Sequence, residues 1–202
     1  MQGLQTVPTR VRHEGPTVKG SRFIVDIAPI TAETEARAFL ASVRNDFADA
    51  SHHCSAWRIA NPAIERSSDD GEPGGSAGRP ILAQLGGRDL VDTAVIVTRF
   101  FGGTKLGVGG LMRAYGGAAA MALDSITLRP WILMVEATVE HGYSFTDTIE
   151  RMTTDAQGEV CSRTFGETVV QTLRLPADAL DDLISAVADV TAGAVQVRPA
   201  GA

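Results

Sequence analysis

Apolar positions alternate along "KGSRFIVDIA", with Phe23, Val25 and Ile27 on one side, which predicts a strand that Pro29 ends. Thr31 then stands where it can cap a helix, with Glu33 and Glu35 in the positive first turn. Ala36, Phe39, Leu40, Val43 and Phe47 repeat at helical spacing behind it. "HHCSAWRIA" predicts a second strand and "NPAIERSSDDGEPGG" a long polar loop. "SAGRPILAQLGG" reads as a short helix with Pro80 in its first turn. "DTAVIVTRF" is apolar almost throughout, as a central strand must be. After "GGTK", a helix carries Val108, Leu111, Met112, Tyr115, Ala119 and Ala122 on one side and Arg113 on the other.

The pattern restarts near Pro130. "WILMVEATVE" alternates, with Trp131, Leu133, Val135 and Val139 on one face. Ser144 can cap a helix holding Phe145, Ile149 and Met152 inward, and "GEVCSRTF" and "ETVVQTLRLP" form a hairpin around Gly166. Pro176 opens a further helix with Leu180, Leu183, Ile184 and Val187 inward, and "AVQVR" closes as a strand. The order β-α-β-β-α-β is the split, ferredoxin-like arrangement. The reading is two α+β domains, residues 1–129 and 130–202.

Composition adds a compartment. With 44% hydrophobic and 21% charged residues the chain is of ordinary globular character. No apolar run suits a membrane span, and "MQGLQTVPTRVRHEG" has no secretory pattern. Cys54 and Cys161 are isolated from each other, as reduced thiols in a cytoplasm would be. A cytoplasmic protein is expected, without a membrane partner. The net charge of −6 hides a division: residues 1–130 balance at +1, residues 131–202 at −7. An anion would therefore meet the first half.

Four motifs invite chemistry. "GGSAG" matches a nucleophile elbow at Ser76, but no strand precedes it and the only later histidine is His141; a helix cap is the simpler reading. "HHC" suggests zinc, yet alternation puts His52 and Cys54 on one side and His53 on the other, with no second ligand cluster. "SDDGE", with Asp69, Asp70 and Glu72, lacks calcium-loop spacing; it reads as an Asp70–Gly71 turn or as an acidic loop for a magnesium ion or basic partner. "RFFGGTKLGVGGLMRAYGG" gathers seven of the chain's 21 glycines. It fails both the Walker and the dinucleotide signatures. Still, a strand, a glycine turn and a helix start offer free N–H groups beside Lys105. Anion binding by Arg99, Gly102, Gly103, Lys105, Gly107, Gly109, Gly110 and Arg113 and a purely structural turn both remain open. The sequence assigns no catalytic residue, no metal and no cofactor.

Taken with the "HHCSAWRI" strand, the stretches "SRFI", "SDDGEPGGSAGRPIL" and "VIVTRFFGGTKLGVGGLMRAYG" resemble the IMPACT/YigZ family, across most of residues 20–123. Residues 131–202 resemble the C-terminal domain of its bacterial members. The resemblance implies an N-terminal domain similar to the second domain of ribosomal protein S-five, and a ferredoxin-like C-terminal domain similar to those of elongation factor G. Eukaryotic members regulate translation by binding the activator of a starvation-sensing kinase; they have a different accessory domain, so that partner does not carry over. For bacterial members, nucleic-acid or ribosome association is the usual suggestion. The implied partner is RNA, the ribosome or a translation factor. The alternatives are a small phosphorylated ligand or nucleotide held at the glycine turn, and a protein-binding regulator using "SDDGEP". The family motif picks out Asp69, Asp70, Glu72, Arg99, Lys105 and Arg113.

Overall fold

A computed structural model describes residues 3–200. The chain packs as two compact α+β units, Met1–Trp131 and Ile132–Ala202. In the first, the elements run β1 (Gln5–Thr6), β2 (Val11–Glu14), β3 (Arg22–Pro29), α1 (Glu33–Asp46), β4 (His52–Ile59), β5 (Ile64–Ser68), α2 (Gly78–Gly86), β6 (Thr93–Phe100), α3 (Val108–Asp124) and β7 (Arg129–Pro130). Five strands form an antiparallel sheet in the order β2-β3-β6-β4-β5, so the apolar β6 is central as its composition predicts.

Strand parity then divides the core. Phe23, Val25, Ile27, Cys54, Ala56, Val95 and Val97 face α2 and α3. Trp57, Ile59, Ala94 and Ile96 face Ala36, Phe39 and Val43 of α1 on the other side. The inner stripe of α3 is Leu111, Ala114, Tyr115, Ala118, Ala119 and Ala122, whereas Val108 and Met112, expected inside, stand exposed. They occupy the first two turns of the helix, where Leu111 turns inward.

Three local expectations are corrected. The polar loop after β4 contains β5, an edge strand whose single large apolar residue, Ile64, left no alternation to read. Thr31 is not the cap of α1; the Glu35 carboxylate reaches back to accept from its N–H at 2.6 Å. Trp131 belongs with the first unit, its N–H bonding Leu4 O and its indole donating to Asp92.

The second unit runs β8 (Met134–His141), α4 (Thr146–Asp155), β9 (Glu159–Phe165), β10 (Val169–Pro176), α5 (Leu180–Val190) and β11 (Gln196–Pro199). Its antiparallel sheet has the order β11-β8-β10-β9, the ferredoxin-like topology. Ala137, Val139, Leu173, Leu175 and Val197 meet Ile149, Leu183 and Val187 of the helices. Two starts differ from expectation. A one-turn 3-10 helix at Tyr143–Phe145 precedes α4, so Ser144 does not cap it, and Pro176 ends β10 ahead of a second such turn, Ala177–Ala179.

Because this core is complete in itself, a fragment of residues 132–202 should unfold in one cooperative thermal transition. A featureless melt would show that its core needs the rest of the chain.

Candidate functional site

The acidic turn does not point outward. Glu72 N–H bonds Asp69 O at 2.9 Å, and the two residues between, Asp70 and Gly71, both have positive φ, 43° and 86°. That is the Asp70–Gly71 turn read from the sequence, in the geometry Asp and Gly tolerate best. It folds the loop back across the ends of β4 and β6. There the Glu72 carboxylate, 4% exposed, accepts from Arg99 Nη1 at 2.6 Å and from the Tyr115 hydroxyl at 2.7 Å. Arg99 Nη2 donates to Ser21 Oγ, which also accepts from the Gly102 N–H. One buried network thus ties Ser21 at the entry to β3, the acidic turn, β6 and α3.

Asp69 has a different partner set. Its Oδ1 accepts from the N–H groups of Ala77 and Gly78 and its Oδ2 from that of Gly75. It therefore caps α2 from eight residues upstream, and Ser76, the cap expected from local sequence, is buried without a side-chain partner. Burial works against ionisation of Asp69, but the three N–H donors and Arg79 outweigh it and hold its pKa below the usual range. Asp70 pairs with Arg44 at 2.6 Å and accepts from the His53 N–H.

The "HHC" strand splits as its parity predicts. His52 Nδ1 and Cys54 Sγ lie against the carbonyls of Asp70 and Asp69, while His53 Nε2 faces Phe47 O on the α1 side. Burial pushes the Cys54 thiol up to about 12 and lowers the pKa of His53. Neither is poised as a thiolate or an imidazolium at neutral pH.

These contacts correct the anion surface expected from the sequence. Arg99 is buried and consumed by Glu72, so it does not share a face with Lys105 and Arg113. Glu72 and Asp69 serve the chain's own groups, and Asp70, its side chain 26% exposed, is held by Arg44. The glycines divide likewise. Gly102 is bare because a Cβ there would collide with the Gly20 carbonyl. Gly103 and Gly107 have φ of 83° and 71°, and Gly107 is the residue before α3 begins. At Gly116 a Cβ would meet Pro80 at 3.5 Å, an ordinary contact, and at Gly109 and Gly117 it would meet no backbone within 4 Å.

An exposed face nonetheless remains at the start of α3. Val108, Gly109 and Gly110 lie in its first turn, where N–H groups have no helical partner. Arg113 folds back over Gly109, its Nη1 3.6 Å from where a Cβ would be. Lys105 is exposed in the turn, and Phe101 beside it is half exposed. Sequence reasoning missed Lys19, which lines a groove of about 260 Å³ with Leu106, Gly110, Arg113 and Gly117. Its signal was the Lys-Gly pair just before β3, where φ turns positive at both residues.

A two-unit α+β protein closed by a buried carboxylate, guanidinium and phenol, with a ferredoxin-like partner unit, is the class these features define. Residues 19–123 match the family model described as Impact N-terminal domain, and residues 139–194 match one described as a domain of unknown function, DUF1949. The chain belongs to the IMPACT family. It is 36% identical over 183 residues to the IMPACT family member YigZ of Escherichia coli, across 89% of this chain and 90% of that protein. It is 39% identical over 153 residues to the IMPACT family member YvyE of Bacillus subtilis, across 75% of this chain and 70% of that one. A crystal structure described as that of a hypothetical protein aligns with a TM-score of 0.74 at 33% identity, covering 98% and 97% of the two chains.

The network makes its own predictions. Glu72→Ala leaves the Arg99 guanidinium buried and unpaired and should cost about 3–5 kcal/mol in denaturant unfolding. Gly102→Ala should destabilise by about 1–3 kcal/mol through the clash, whereas Gly117→Ala, in open space within a helix, should stabilise by about 1 kcal/mol. Equal effects at both glycines would refute this division. The depressed Asp69 pKa contributes stability that is present above the unfolded value of about 3.9 and is lost as pH falls through the folded value. Asp69→Asn should therefore flatten the acid limb of a pH–stability profile below about pH 4.

Proposed function

We propose that the chain is a cytoplasmic, translation-associated binding protein that takes RNA, the ribosome or a translation factor on the face formed by the 102–107 turn and the start of α3. The observation that carries the reading is the residual charge there. Lys105 and Arg113 make no ion pair among the described residues, and they flank N–H groups at a positive helix end. Membership of the IMPACT family supports the link to translation, since eukaryotic members regulate it. No helix among the described residues is long and apolar enough to cross a membrane. The sequence assigned no catalytic residue, and the groups it marked as reactive are engaged in packing.

One observation favours a second reading. The groove at Lys19 and Arg113 is small and lies beside free N–H groups, as a site for a small phosphorylated ligand would. Inorganic phosphate or a nucleotide would then protect the chain against thermal unfolding.

Binding of single-stranded RNA across a salt series tests the first reading. Lys105→Ala should weaken binding across sequences and reduce the slope of log affinity against log salt by about 0.7–0.9 if one phosphate contact is lost. An unchanged affinity and slope in a folded variant would remove RNA from that face.

A further inference from the structure

The second unit carries a groove that this reading leaves unused. An open cleft of about 670 Å³ lies between α4 and α5, reaching Pro176 at the end of β10. Its walls include Met152 of α4 and Leu183, Ala186 and Val190 of α5. The three α5 residues are spaced i, i+3, i+7, so they form one stripe along the helix. Leu183 at one end is buried, but Val190 at the other is 58% exposed. An apolar stripe that runs out of the core into solvent is a surface without its cover.

Among the described residues that line it, carboxylates outnumber cations three to one. Asp155 stands on the α4 side, and Asp178 and Asp182 on the α5 side; the only cation is Arg151, 3.7 Å from Asp155 on an exposed surface. Asp178 and Asp182 have a local reason, since they precede or open α5, where the helix dipole favours an acid. Asp155 has the opposite placement. It is the last residue of α4, where the dipole is negative and a carboxylate is disfavoured. Its position is unfavourable for the helix and favourable for a cation placed in the cleft.

We propose that the α4–α5 cleft docks a basic, amphipathic segment of a protein partner. Lysine or arginine heads would meet Asp155 on one wall and Asp178 and Asp182 on the other. Their aliphatic stems and neighbouring apolar side chains would cover Ala186 and Val190. RNA and phosphorylated ligands are repelled here, in a half that carries a net charge of −7. The proposal is independent of the reading for α3. If both hold, the two units present surfaces of opposite sign, suited to the acid and the basic components of a ribonucleoprotein.

The test uses the full chain and a labelled helical peptide of roughly 18 residues, with leucine and alanine on one face and lysine on the other, followed by fluorescence anisotropy. Saturable binding is expected, at least about tenfold weaker for Asp155→Lys/Asp182→Lys and also for Ala186→Trp, which fills the cleft without changing charge. The same peptide with glutamate for lysine should bind at least about tenfold more weakly to the wild type. A control reversal away from the cleft, Glu136→Lys/Glu167→Lys, should leave the affinity within about twofold. Should a cleft variant melt early, Val190→Lys, at the exposed end of α5, takes its place, with the same weakening expected. Absence of saturable binding, indifference to Ala186→Trp, or equal weakening by the control reversal would overturn the proposal.

Discussion

The buried carboxylate of Glu72 is the constraint on which the first unit depends. Taking a charge out of water costs several kcal/mol, recovered only when geometry and hydrogen bonding are good. Here one oxygen accepts from a guanidinium at 2.6 Å and a phenol at 2.7 Å. The three groups come from a turn, the central strand and α3, so none reaches its position unless the others have. The lock therefore matters less as net energy than as registry: it holds the 69–78 loop across the sheet, and that loop carries Asp69 to the start of α2. Gly78 is bare for the same reason, since a Cβ there would lie 2.7 Å from Ser68 N.

Much of this was legible, and the failures share one cause. Alternation and helical stripes located β3, α1, β4, β6 and α3 because each buries one face, and burial is what periodicity records. β5 was invisible because an edge strand of polar residues has no buried face to report. Arg99, Glu72 and Asp69 were misplaced because charge was read as exposure. For Arg99 a signal existed: it shares strand parity with Val95 and Val97, which face α2 and α3. Parity fixes the direction of a side chain and says nothing of its partner. Glu72 meets its partners 27 and 43 residues away.

The glycine cluster illustrates how one composition answers several demands. Gly102 is closeness, Gly103 and Gly107 are backbone angle, and Gly109 and Gly117 are neither. A helix loses about 1 kcal/mol for each such residue relative to alanine. At Gly102 packing needs the glycine. In the last pair nothing within the chain does, and both open positions lie on the exposed side of α3.

Formal charge conceals how differently the two units present themselves. In the first, Arg10, Arg12, Arg22, Arg37, Arg44, Arg58, Arg66, Arg88 and Arg99 are all held by carboxylates of the same unit. What remains for a partner is a small set that includes Lys19, Lys105 and Arg113, gathered near the start of α3. In the second, Arg151, Arg163 and Arg174 pair internally, so its excess of acid is left almost uncovered. Solvent screens these charges beyond about 8–10 Å at physiological salt. A partner at either surface therefore responds to the local residue of charge, cationic at α3 and anionic at α4–α5. The near-neutral balance of the first half is cancelled inside the fold before any ligand arrives.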